Sequence, residues 1–130
     1  MTSYEAYLKC CEQGSRNPKL EFIIFQDPRW SCCYAKNVIN GRWAEGEGVI
    51  LRDPKWSYCY ARDVIKGRWV EGEEVILQDP HWSYWYARDI IGGRWAEGEE
   101  VILGSEWESN YCNHFGIEPC ELVPKPDYTL

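Results

Sequence analysis

Three groups of side chains in this 130-residue chain have types and spacings that could do chemistry. The first is Glu47, Glu73 and Glu99, each five residues after an arginine: Arg42, Arg68 and Arg94. A positioned carboxylate can act as a general acid or base. A group copied identically along a chain is more economically a structural pair repeated with the fold, so no catalytic residue is assigned. The second is "CNHFGIEPC", which offers Cys112, His114 and Cys120 as ligands. A closed zinc site needs four donors at recognisable spacing, and no metal is assigned. A catalytic thiolate would need an activating neighbour, and neither His81 nor His114 has a sequence context that suggests one.

The third group interleaves cations and aromatics: Lys55, Tyr58, Arg62 and Lys66, continued by His81, Tyr84, Trp85 and Arg88. Such a stripe could grip an acidic protein segment, or stack on and neutralise single-stranded nucleic acid. The competing reading is a solvated face whose Tyr and Trp pack against a neighbouring unit. Asp63 and Asp89 at its edge weaken the nucleic-acid version. Phosphate-binding glycine loops, nucleophile elbows and zincin motifs do not occur, and no cofactor is expected.

The elements that must position these groups come from an internal repeat. Residues 27–52, 53–78 and 79–104 align without gaps, and the second and third copies agree at 20 of 26 positions. Degenerate copies flank them at 1–26 and 105–130, as expected of capping units whose outer faces meet water. One repeat domain is therefore expected over residues 1–130.

Each copy opens with Asp-Pro at 27/28, 53/54 or 79/80. Asp is a strong N-cap, Pro suits the first helical position, and the residue before Pro avoids helical geometry. One dipeptide thus ends a helix and starts the next. The first helix is expected to run to about Ile39, Ile65 and Ile91, with Gly41, Gly67 and Gly93 as left-handed C-terminal residues. A shorter second helix carrying "EGEEVIL" follows, with its acids where the helix dipole favours them.

On a wheel of about 100° per residue, Trp30, Ser31, Tyr34, Ala35, Val38 and Ile39 share one arc, retained in the other copies. That arc is read as the packing face. The opposite arc differs between copies: Arg29/Lys55/His81, Cys32/Tyr58/Tyr84, Cys33/Cys59/Trp85 and Lys36/Arg62/Arg88. A fold built from repeated contacts needs the same residue in every unit, whereas a partner without that symmetry needs different ones. The varying set Lys55, Tyr58, Arg62, His81, Tyr84, Trp85 and Arg88 is therefore the expected partner-binding surface. A β reading competes, because "WSYWYA" is rich in strand formers and "GRWAEG" has the glycine and aromatic spacing of small hairpins. The four-residue steps from Trp30 to Tyr34 to Val38 favour helices. The expected fold is all-α, a small α-solenoid of tandem two-helix repeats.

Eight Trp and nine Tyr, with a net charge of only −7, exclude the composition of a disordered chain. No apolar run approaches a membrane span, and the N-terminus lacks a secretory layout, so a cytoplasmic protein is expected. Seven Cys, with adjacent pairs at 10/11 and 32/33, read as thiols and not as a disulfide framework. The acidic balance argues against nonspecific nucleic-acid binding by the whole surface.

The stretch "YARDVIKGRWVEGEEVI" resembles short tandem repeats in uncharacterised phage and bacterial proteins, of the type Tyr-Ala-x-x-Val-Leu/Ile-x-Gly-Arg/Pro-Phe/Trp-x-x-Gly/Ala-Glu-x-x-Ile. The likeness covers residues 27–104. Those repeats often carry Pro after the aromatic, where this chain has Ala44, Val70 and Ala96. The resemblance implies a helical solenoid and a phage or microbial setting. In that setting the expected role is a small, non-enzymatic, acidic inhibitor that docks on a host defence complex, as anti-CRISPR proteins do. Nucleic-acid binding and end-to-end self-assembly are the alternatives.

Overall fold

The computed structural model describes residues 1–118. Its helices are α1 (Ser3–Gln13), α2 (Pro18–Ile24), α3 (Pro28–Tyr34), α4 (Ala44–Ile50), α5 (Pro54–Tyr60), α6 (Val70–Ile76), α7 (Pro80–Tyr86), α8 (Ala96–Ile102) and α9 (Glu108–Phe115). Among the described residues there is no strand. The β-rich look of "WSYWYA" is overridden by its caps. Asp27 accepts from the backbone N–H of Arg29 at 2.8 Å, Asp53 from Trp56 at 3.2 Å and Asp79 from His81 at 2.9 Å. Pro follows each cap at the first helical position, where its missing N–H costs nothing.

α3, α5 and α7 continue without a break into five-residue π-helical turns, Ala35–Ile39, Ala61–Ile65 and Ala87–Ile91. The left-handed residues that end these helices are Asn40, Lys66 and Gly92 (φ 61°, 60° and 73°), not Gly41, Gly67 and Gly93. The widened turn is the reason. The N–H of residue 40, 66 or 92 bonds back five residues to the carbonyl of Ala35, Ala61 or Ala87, so the chain reverses one position early. A π-turn also changes the angular phase, so the wheel loses register beyond Ala35.

The packing is repeat-like. α1 packs on α3, α3 on α5 and α5 on α7, while α2, α4, α6 and α8 each pack on the helix before them. Fully buried at equivalent places are Tyr34, Tyr60 and Tyr86; Trp43, Trp69 and Trp95; and Ile24, Ile50, Ile76 and Ile102. Ser31, Ser57 and Ser83 are buried too, each hydroxyl donating to the carbonyl of Ile24, Ile50 or Ile76 seven residues back. Those bonds tie each first helix to the end of the preceding second helix.

Gly46, Gly72 and Gly98 lie inside α4, α6 and α8, against the indole of Trp43, Trp69 or Trp95. A Cβ at these positions would come within 2.4 to 2.6 Å of Trp Cε3. The glycine is there to let the ring lie on the helix. The three indole N–H groups are buried without an acceptor. An orphaned donor costs about 1–3 kcal/mol, and truncating a buried aromatic about 3–5 kcal/mol, so ring burial prevails.

The expected split into a packing arc and a free arc needs a second correction. Trp30, Val38 and Ile39 are only partly buried, whereas Cys32, Tyr58 and Tyr84 on the opposite arc are almost fully buried, at 3%, 2% and 4% exposure. A first helix touches its own second helix and a first helix on either side, so its buried arc is wider than a two-helix contact requires.

Candidate functional site

The repeated carboxylates are engaged from all sides. Arg68 donates twice to Glu73, at 2.8 Å from both Nε and Nη2. The Tyr86 hydroxyl donates to Glu73 Oε2 at 2.6 Å and accepts from the Trp69 backbone N–H at 2.9 Å. Arg42, Glu47, Tyr60 and Trp43 repeat the arrangement, and so do Arg16, Glu21, Tyr34 and Asn17 in the degenerate first copy. In the third full copy Arg94 donates to Glu99 at 2.7 Å, and Tyr111 accepts from Trp95 N–H at 2.9 Å.

Burial pushes the Glu73 carboxyl up. The Arg68 and Tyr86 bonds outweigh it and hold the acid below its ordinary value; Glu47 and Glu21 behave alike. Burial, followed by the glutamate partner, drives the Tyr34, Tyr60 and Tyr86 phenols upward. An ionised acid saturated with donors and a phenol held protonated are fixed in charge near neutrality. They bind the ends of successive helices together, and nothing in their geometry offers a proton to a substrate.

Five of the thiols are held toward their protonated form. Burial raises Cys10, Cys32, Cys33, Cys59 and Cys112, the wrong direction for a nucleophile. Cys112 is buried and His114 exposed on α9, and Cys120 falls outside the described residues.

The variable stripe is divided by the structure. Tyr58, Arg62, His81 and Trp85 meet at one open cavity of about 260 Å³, completed by Trp82 and Asp89. Its walls come from α5, α7 and the π-turns after them. Tyr58 is mostly a wall: its hydroxyl donates to Asp89 at 2.6 Å, joining one copy to the next, and burial with this bond pushes the phenol up to about 12. Arg62 lies over the Tyr58 ring at 5.2 Å and is bound by both nitrogens to Asp63, at 2.8 and 2.9 Å. His81 is sandwiched between Trp82 and Trp107, with ring centroids at 4.4 Å on each side. Arg88 lies over Trp85 at 5.0 Å.

The other expected residues fall outside the cavity. Tyr84 is buried against Trp107 and Trp85, so as a surface contact it is withdrawn. Lys55 is exposed in the first turn of α5, its ammonium 5.0 Å from the Trp56 ring. Sequence reasoning missed Trp82, assigned to packing because Trp recurs there, and Trp107 as the outer slice of the stack. The available signal was that Trp30, Trp56 and Trp82 each directly follow the variable residue Arg29, Lys55 or His81. Arg29 also lies over Trp30 at 4.5 Å and within 5.9 Å of Trp56, so these pairs form an edge of alternating rings and cations.

Comparison with protein-family models, with curated proteins and with solved structures finds no match to this chain.

Proposed function

We propose that this chain is a non-enzymatic α-solenoid of 26-residue units, closed by degenerate capping units, that binds a partner protein through the cavity between its second and third full copies. The observation that carries this reading is the convergence of Arg62, His81 and Trp85, from two successive copies, on one open cavity walled by the buried Tyr58. The repeated groups that could do chemistry are meanwhile fully engaged with one another.

The cavity has the make-up of a recognition hot spot. Trp and Arg are the residues most often decisive in protein interfaces, because they combine broad apolar faces with fixed donors. Trp82 and Trp85 offer rings to a flat side chain, while Arg62 and His81 offer donors to a carboxylate or amide at its tip. Arg62 faces Asp63 and Asp89 stands across the cavity, so the local charge is nearly balanced. That favours a protein side chain over the phosphates of a nucleic acid, whose binding depends on uncompensated cations.

The test is enrichment of partners from the native host on immobilised protein, followed by calorimetry with the purified partner. Arg62→Glu and Trp85→Ala should each weaken binding at least tenfold, and Glu97→Lys on α8 should leave it unchanged. Equal binding by all variants would overturn the reading. Salt-sensitive binding of a single-stranded oligonucleotide that Arg62→Glu abolishes would replace it with the nucleic-acid reading.

A further inference from the structure

The side of the molecule formed by α2, α4, α6 and α8 has the opposite character. A cavity of about 410 Å³ is lined by Pro18, Phe22, Phe25 and Trp43, with Glu21 and Glu45 among its walls. Phe22 is 68% exposed beside it. The ground next to it is open because the residue one copy on from Phe22 is Gly48, where a Cβ would meet nothing within 4 Å. Later copies place Glu74 and Glu100 at that position.

From this apolar end a row of acids extends. Glu45, Glu71, Glu74, Glu97 and Glu100 are all exposed, and among the described residues none forms an ion pair, in contrast to the engaged Glu21, Glu47, Glu73 and Glu99. Residues 71 and 74, like 97 and 100, are three apart and share a helix face. α4, α6 and α8 contain no cation; Lys19 on α2, beside the cavity, is the one within the four helices, and Arg52 follows in the turn after α4.

We propose that this side is a second docking surface, independent of the first, for a basic protein segment that seats an apolar residue in the Phe22–Phe25–Trp43 cavity and runs its cations along the glutamates. Charge complementarity selects the occupant: a neutral or acidic segment finds five uncompensated carboxylates, and a bare polycation leaves the cavity empty. The packed first helices α3, α5 and α7 stand roughly 8–10 Å apart, which sets the step from one second helix to the next, and an extended chain advances about 3.3 Å per residue. The matching segment therefore carries a cation at about every third residue beyond its anchor.

The experiment uses the full chain and fluorescent peptides with one Phe followed by Lys at every third position, synthesised in both sequence directions, with twins in which Phe is replaced by Ser. In fluorescence anisotropy at low salt, one Phe peptide should bind at least tenfold tighter than its twin. Phe22→Ser should abolish that preference while leaving twin binding unchanged, and Glu71→Gln with Glu74→Gln should weaken both peptides. Gly48→Glu, which installs the side chain of the later copies, should also remove the preference if Phe22→Ser disturbs the fold. Equal binding of Phe and Ser peptides, absence of binding, or a preference that survives both Phe22→Ser and Gly48→Glu would overturn the proposal. Arg62→Glu should leave all these affinities unchanged, so failure here and failure at the first cavity are separable.

Discussion

Replacing Gly72 by Ala tests the reason for the glycine inside each second helix. Ala is the better helix former by about 0.8–1.0 kcal/mol, so on propensity alone the change should stabilise α6. The structure predicts the reverse. The new methyl would lie 2.6 Å from Trp69 Cε3 and 3.1 Å from Cδ2 and Cζ3. Ordinary contact requires the ring to retreat by roughly 0.8 Å, and Trp69 is 1% exposed, packed against Tyr60. Overpacking of this kind costs about 1–3 kcal/mol, which cancels the propensity gain or exceeds it by up to about 2 kcal/mol. Gly48→Ala supplies the control, since it lies in α4 with nothing within 4 Å of its Cβ, and it should gain close to the full propensity. Two chemically identical substitutions should thus differ by about 1–3 kcal/mol, or roughly 0.5–2 M in urea midpoint. Equilibrium urea unfolding followed by circular dichroism measures both. Equal stabilisation by the two would show that the glycine has nothing to do with the tryptophan.

Further expectations follow from the same contacts. Tyr86→Phe should lose about 2–4 kcal/mol in urea unfolding, because it orphans the buried Trp69 N–H and removes a charge-assisted bond to Glu73. Tyr58→Phe should lose only about 1 kcal/mol, since the half-exposed Asp89 can turn to water. Lys66→Gly should raise the free energy of urea unfolding by about 0.5–1 kcal/mol, as the lysine holds a φ of 60° suited to glycine. The pH profile should be flat around neutrality and fall on both sides. Glu21, Glu47 and Glu73 titrate below their ordinary 4.5 in the folded state, so their contribution is complete above that pH and is lost as pH drops through the lowered values. Tyr34, Tyr60 and Tyr86 are raised above 10.0, so theirs is present below that pH and is lost as pH climbs through the raised values. Urea midpoints across pH measure this, and Glu73→Gln should flatten the acid limb.

Much of the fold was legible because its signals are local. Asp-Pro both caps and aligns a helix, so the starts of α3, α5 and α7 could be read directly. The pairing of each Glu with the Arg five residues before it was legible for the same reason. The tyrosine lies 13 residues beyond its glutamate in the networks of Glu21, Glu47 and Glu73, and only the packed helices bring it there. The π-turns left no pattern that a wheel of fixed pitch could detect, and they displaced the left-handed residue from Gly67 to Lys66. At the cavity, variation between copies pointed to Arg62, His81 and Trp85. It misassigned Tyr84, because a side chain that differs between copies can still pack between them. The recurring glycine of "EGE" went unexplained in the sequence, since its reason is an indole three residues earlier lying flat on the helix.

The central claim, that recognition resides where the copies differ, is tested most directly by photo-cross-linking. A benzophenone amino acid would replace Trp85 in one version of the protein and Ser109, exposed on α9, in another, each produced in the native host. One discrete protein adduct is expected from position 85, absent from position 109 and suppressed when Arg62→Glu is added. A cross-linking pattern that is the same from both positions, or an adduct at 85 indifferent to Arg62, would contradict it.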